Sequence, residues 1–208
     1  KHNKTTTQGE SMKPAPFAYA KASTLEDALG LLAEHGDDAR ILAGGQSLMA
    51  TLNMRLSAPQ VLVDINRIDG LEGINDTGDA LRIGAMTRHS DVETSDLIAQ
   101  HAPLIAAAVD HIAHPAIRNR GTFGGSIAFA DPAAELPACA MALDATMHIA
   151  GLNGERDVPA ADFFEGLYET AIQPGEILTG VSIPKIADGW KSGFMELARR
   201  HGDYAIIG

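Results

Sequence analysis

The chain has 208 residues, 45% of them apolar and 21% charged, which suits an ordinary globular protein of one large or two small domains. Its formal net charge of −11 argues against nucleic-acid binding, which needs a basic face, but leaves room for a small basic pocket around a phosphate. No apolar run approaches the roughly 20 residues of a membrane helix, and the single cysteine, Cys139, can neither close an internal disulfide nor hold an iron–sulfur cluster alone, as fits a reducing cytoplasm.

The opening "KHNKTTTQGES" is polar, with no signal-peptide core, and residues 1–12 read as a tail or a tag remnant. The first predicted element is a helix in "STLEDALGLLAEHGDDA". Thr24 caps it with Asp27 three residues on, Leu25, Ala28, Leu29, Leu32 and Ala33 form one apolar face, and Gly36 ends it. "ARILAGG" and "VLVDI" are buried strands, so residues 13–65 form a small α/β lobe. Gly78-Asp79 then marks a hairpin between "LEGIND" and "ALRIGAM". The stretch "SDVETSDLIAQHAPLIAAAVDHIA" is helical in two pieces, broken near Pro103. "ATMHIAG" and "GERDVPA" are strands flanking Asn153-Gly154, and "EILTGVSIP" is a strand stopped at Pro184. Residues 66–185 thus form a larger unit of helices and antiparallel strands, without repeats or a low-complexity linker. "SGFMELARRHGDYAIIG", within 186–208, opens a new unit and stops on Ile206-Ile207-Gly208, as expected of the front part of a longer protein.

Two stretches join Gly-Gly to a small hydroxyl residue: Ala43-Gly44-Gly45-Gln46-Ser47 and Thr122-Phe123-Gly124-Gly125-Ser126. Two such turns can wrap the two phosphates of one dinucleotide. Backbone N–H groups form an anion nest, glycine permits close approach, and Ser47, Thr122 and Ser126 supply hydroxyls. Two ordinary turns explain the same residues, and neither stretch matches G-x-G-x-x-G or G-x-x-x-x-G-K-[ST]. Pattern alone stops at a candidate phosphate site.

His111 and His114 are spaced H-x-x-H, but no third ligand pattern follows. Arg118 with Arg120, and Arg199 with Arg200, are basic pairs that either form surface salt bridges or face a phosphate or a partner. No Ser-His-Asp arrangement is readable.

The ordered set "ILAGGQSLMATLNMRLSAPQVLVDINRI", "LRIGAMT", "IRNRGTFGGSIAFADPAAELP", "PGEILTGVSIP" and "FMELARRHGDYAIIG" resembles the FAD-binding medium subunit of molybdenum hydroxylases, the xanthine dehydrogenase and carbon monoxide dehydrogenase family. The resemblance covers nearly all of residues 13–208. It implies an α+β, two-lobed FAD-binding fold of the vanillyl-alcohol oxidase type, with this chain ending soon after a C-terminal domain begins. It implies that Leu42, Ala43, Gly44, Gly45, Gln46, Ser47 and Leu48 form the first pyrophosphate loop, and Thr122, Phe123, Gly124, Gly125 and Ser126 the second. Many members have Asn in place of Ser126. Glu135 matches an acidic position that binds the adenosine ribose, although a surface carboxylate beside Pro137 is the plain alternative. Leu178 matches an apolar residue at the flavin or adenine. Met195 stands where some members have Lys beside the flavin; a thioether cannot donate to a flavin oxygen, so that role does not carry over.

The resemblance further implies non-covalent FAD that relays electrons from iron–sulfur centres to an external acceptor. The molybdenum cofactor and [2Fe-2S] clusters would sit on partner subunits, in a dimer of heterotrimers. The alternatives are a stand-alone FAD-dependent oxidase or reductase, for which no catalytic base or covalent flavin anchor is evident, and a binding module for another nucleotide.

Overall fold

The computed structural model describes residues 13–208; the expected tail at 1–12 lies outside the described residues. The first sheet uses β1 (Ala18–Lys21), β2 (Ala39–Leu42) and β3 (Val61–Asp64), with helices α1 (Leu25–His35) and α2 (Leu48–Asn53) between them. Its order is β1-β3-β2 and all pairs are parallel. Central β3 is buried along its whole length, as a strand covered on both faces must be. Helix α1 starts where expected: Thr24 is extended and its side chain accepts from the Asp27 N–H at 3.1 Å, and Gly36 ends it at φ 51°. Ala28, Leu29 and Leu32 are its buried face. Strand β1 was not legible, because "AYAK" is short, lies at the sheet edge and is mostly exposed.

The second unit begins with the hairpin β4 (Ile74–Asp76) and β5 (Ala80–Gly84). Six helices follow: α3 (His89–Glu93), α4 (Asp96–His101), α5 (Pro103–Val109), α6 (Pro115–Arg118), α7 (Phe123–Phe129) and α8 (Glu135–Ala142). Then come β6 (Thr146–Gly151), β7 (Gly154–Pro159), α9 (Ala160–Phe163), β8 (Phe164–Gly166), β9 (Glu169–Thr170) and β10 (Ile177–Pro184). The antiparallel five-stranded sheet has the order β4-β5-β10-β6-β7. Leu81, Ile83, Met147, Val181 and Ile183 alternate onto one face and pack with Ile105, Phe123, Ile127 and Leu136 from the helices. A second core joins the small sheet to Met86 and Ile177 of this unit, so the two sheets share buried surface.

Two expectations change here. Residues 89–109 form three helices rather than two, because α3 ends at Glu93 with Thr94 as its C-cap and Ser95 caps the next helix, accepting from the Ile98 N–H at 3.3 Å. Gly124-Gly125 is not a turn but the first turn of α7, capped by the Thr122 side chain. The chain finishes as a hairpin of β11 (Leu197–Ala198) and β12 (Ala205–Ile207).

Candidate functional site

A cleft of about 1210 Å³ runs between the two sheets. Its walls include the loop after β2, the start of α7, Glu135, Leu178 and, from the C-terminal hairpin, Tyr204. That volume exceeds the upper end, about 1,000 Å³, of ordinary small-molecule sites and suits an elongated ligand such as a dinucleotide.

The loop after β2 is held open by backbone chemistry. Gly45 takes φ 73°, a left-handed conformation that costs any residue with a Cβ. The next residues turn into α2, where the Met49 N–H donates to the Gly45 carbonyl at 3.1 Å. Among the described residues, no hydrogen bond engages the backbone N–H of Gly44, Gly45, Gln46, Ser47 or Leu48. All five residues line the cleft. Such groups rarely go unpaired, and a run of them beside a left-handed residue is an anion nest. The Ser47 hydroxyl makes no capping bond to α2 and has no hydrogen-bond partner among the described residues.

The second segment is built differently. The Phe123 N–H donates to the Thr87 carbonyl at 2.8 Å, the Gly124 N–H to Ala85 at 2.9 Å and the Ser126 N–H to Thr122 at 3.1 Å. The Gly125 N–H goes to Thr122 Oγ1 at 3.2 Å. This segment therefore offers the cleft hydroxyls and close backbone packing rather than free N–H groups. A Cβ on Gly124 would run into Ala85, and one on Gly44 would run into the Arg120 carbonyl oxygen, so the two glycine-bearing segments lie against one another. Thr122, Gly124, Gly125 and Ser126 reach the cleft; Phe123 is fully buried in the core and Leu42 stays in its strand, and neither lines the cleft.

His89 fastens the second segment. Its backbone N–H donates to the Gly121 carbonyl at 3.1 Å, and its Nε2 lies 2.9 Å from the Thr122 carbonyl. A carbonyl only accepts, so Nε2 carries the proton. Burial, outweighing the hydrogen bond to Thr122, lowers the His89 pKa to about 4 and keeps the ring neutral. Glu135, half-buried at the first position of α8, is pushed up to about 7 by burial, with Glu196 and Asp131 nearby adding to the rise. Leu178 is 5% exposed and serves both the core and the cleft wall. Met195 is 86% exposed and stands away from the cleft.

The remaining candidates separate. Arg118 is buried and paired with Glu93 at 2.8 and 3.0 Å, whereas Arg199 lines the cleft and Arg200 does not. His111 sits 3.7 Å from Glu196 and against Phe194 and His201, while His114 lines the cleft. Sequence reading missed a Ser-His-Asp relay on the polar face of the large sheet. His148 Nδ1 lies 2.6 Å from Asp157 Oδ1 and its Nε2 lies 2.7 Å from Ser182 Oγ. Its first half was legible: a hairpin turning at Asn153-Gly154 puts His148 opposite Asp157. None of the three lines the cleft, and Ser182 sits on a central strand paired on both sides, so its backbone is committed to the ladder and the triplet is a cross-strand polar cluster.

Comparison with known proteins identifies the family. The family described as "FAD binding domain in molybdopterin dehydrogenase" matches residues 15–186. The chain is 49% identical over 197 residues to the 6-hydroxypseudooxynicotine dehydrogenase complex subunit alpha of Paenarthrobacter nicotinovorans, covering 95% of this chain and 67% of that protein. It superposes with a TM-score of 0.90 and 40% identity on a carbon monoxide dehydrogenase structure from Hydrogenophaga pseudoflava, over 92% of this chain and 67% of that one. Quinoline 2-oxidoreductase from Pseudomonas putida 86 gives a TM-score of 0.88 at 43% identity, over 93% and 67% of the two chains. The chain belongs to the family of FAD-binding domains in molybdopterin dehydrogenases, and it is the flavin-binding component of an oxidoreductase.

Proposed function

We propose that the cleft holds FAD non-covalently, with the pyrophosphate against residues Ala43 to Leu48 and the rest of the cofactor extending past Thr122, Ser126, Glu135 and Leu178. The observation that carries this reading is the run of backbone N–H groups at Gly44–Leu48 that have no partner among the described residues, a donor set built for an anion and of no use to an apolar ligand. Thr122 and Ser126 add hydroxyls from the opposite wall. The Glu135 carboxylate accepts from ribose hydroxyls, and Leu178 packs against a ring face. Residues 13–65 and 66–185 are the two lobes of a vanillyl-alcohol oxidase type fold, and 186–208 open a further unit over the cleft.

Bound FAD takes electrons singly or in pairs and passes them on, which suits a relay between one-electron centres and an external acceptor. The chain's own part is to bind, orient and cover the cofactor. Its one cysteine is buried, with its thiol pushed up to about 12 by burial, so it provides no cluster ligand. We assign the iron–sulfur clusters and the molybdenum cofactor to partner subunits, in keeping with relatives that are subunits of dehydrogenase complexes. We assign the working assembly to a dimer of heterotrimers in the cytoplasm; among the described residues no helix is long and apolar enough to cross a membrane.

The test is purification of the full-length subunit from its own cells without dissociating agents. Denatured, filtered protein should release a yellow flavin that retains AMP, and the co-purifying chains should carry molybdenum, iron and labile sulfide. A colourless protein that takes up no added FAD would overturn the cofactor assignment. A lone flavoprotein that oxidises an organic substrate without metals would replace the relay with a stand-alone oxidase.

A further inference from the structure

The two segments that face the cleft belong to different units of the fold, one following β2 of the small sheet and the other opening helix α7, and one polar chain joins them. Asn66 follows β3 and donates from Nδ2 to the Ala43 carbonyl at 2.8 Å and the Leu42 carbonyl at 3.3 Å, at the entrance of the first loop. Its Oδ1 accepts from Arg88 Nη2 at 2.8 Å. The other guanidinium nitrogen, Nη1, donates to the Arg120 carbonyl. That oxygen is the one a Cβ on Gly44 would strike, so Arg88 grips the approach to the second segment, two residues before Thr122, at its point of contact with the first.

The chain is anchored on the far side as well. Asp64 Oδ1 accepts from the Asn66 backbone N–H at 2.8 Å and from Nδ2 at 2.7 Å, and Asp64 Oδ2 accepts from the Tyr19 hydroxyl. Burial pushes the Asp64 carboxyl up, but hydrogen bonds from Tyr19 and Asn66 outweigh it and hold the group below its ordinary range. Asp64 therefore stays charged and keeps Asn66 in one orientation. A guanidinium suits the other end, because its planar fork reaches two acceptors on different segments at once.

We propose that Asn66 and Arg88 form a latch that sets the gap between the two cleft-facing segments and so governs how tightly the pyrophosphate is held. Neither residue need touch the cofactor: both are positioning residues. The latch rests on the flavin reading above, since a fixed gap matters only if one ligand bridges both segments. Asn66 and Arg88 lie on the surface side of this junction, so losing them costs the core little and costs the alignment of the cleft walls much.

The test uses the full-length subunit stripped of flavin, with wild type, Arg88→Ala, Arg88→Lys, Asn66→Ala and the Asn66→Ala/Arg88→Ala double variant. Flavin fluorescence quenching gives the Kd for FAD, calorimetric titration gives the Kd for ADP as a probe without the flavin ring, and thermal unfolding of the ligand-free protein gives Tm. Each alanine variant should weaken FAD and ADP alike by roughly tenfold, the scale of one hydrogen bond to a charged group. The double variant should be no worse than the weaker single one, because both break one chain. Arg88→Lys, whose compact ammonium cannot span the two acceptors as the planar fork does, should fall between. Ligand-free Tm should stay within about 2 °C of wild type. The latch is overturned if wild type binds FAD and the alanine variants bind it equally well, if only FAD and not ADP is weakened, or if affinity falls only in step with Tm. Failure of wild type itself to bind FAD would instead remove the flavin reading, and the latch with it.

Discussion

The two glycine pairs look alike in sequence and do opposite things. In Gly44-Gly45-Gln46-Ser47 the backbone N–H groups have no partner among the described residues, and Gly45 occupies a conformation that side chains resist. In Gly124-Gly125-Ser126 every N–H is already used, and the first glycine is present because Ala85 leaves no room for a Cβ. The first segment is shaped for a ligand; the second is shaped for the fold and contributes side-chain hydroxyls at its surface. A Gly-Gly pair thus says only that something comes close. Hydrogen-bond accounting says whether that something is protein or ligand.

The sharpest way to break the comparison is to add a side chain to each segment. Gly124→Val should destabilise the protein by about 3 kcal/mol or more, since its Cβ meets backbone at Ala85 that cannot move aside. The measurement is Tm without ligand, and an unchanged Tm would refute the packing role. Gly125→Val is a poor probe of binding, because its Cβ would lie 2.5 Å from the Thr122 hydroxyl and disturb the cap.

Acid should find the second segment and pass over the first, which has no titratable group. His89 is depressed to about 4, so the folded state binds fewer protons than the unfolded chain between that value and the ordinary 6.5. Its contribution is complete above pH 6.5 and is lost as pH falls towards 4, amounting to about 2 kcal/mol by pH 5. Glu135 runs the other way: raised to about 7, it favours the ligand-free fold below the ordinary carboxylate range and loses that contribution as pH rises through 7. Chemical denaturation from pH 4 to 8, with His89→Asn as the variant that cannot charge, separates the two. A wild-type profile that His89→Asn leaves unaltered between pH 4 and 6.5 would remove His89 from the account.

Gly45→Val should behave unlike Gly124→Val. Its Cβ meets only the flexible ends of Leu42 and Met49, so the cost is the left-handed backbone, about 1–2 kcal/mol. The fold should survive while FAD affinity drops at least about tenfold, as fluorescence titration would measure. The smallest effect belongs to Thr122→Ala, which removes the α7 cap and should cost about 1 kcal/mol of stability. A loss confined to FAD affinity, with Tm unmoved, would mean that Thr122 serves the ligand alone.

Legibility in the sequence followed the range of the interaction. The cap at Thr24 and Asp27, the apolar face of α1 and the hairpin at Asn153-Gly154 depend on residues within a few positions, and all could be read. Helix α7 could not: two adjacent glycines are poor helix formers, and packing against Ala85 overrides that preference. The loop at Ala43–Leu48 was readable as a candidate by composition, but its unpartnered N–H groups emerge only when every backbone bond is placed. The junction of Asn66, Arg88 and Arg120 was invisible, because it joins residues 22 and 32 positions apart through side chains that carry no motif.

Amide hydrogen exchange of residues 44–48 and 123–126 in the full-length subunit, with and without FAD, tests the central claim most directly. Unpaired amides exchange quickly and bonded ones slowly. The account predicts that Gly44–Leu48 exchange fast in the ligand-free protein and slow by at least about tenfold when FAD binds, while Phe123–Ser126 are protected throughout and change little. Protection gained at Phe123–Ser126, with Gly44–Leu48 still exchanging at their ligand-free rate, would contradict it.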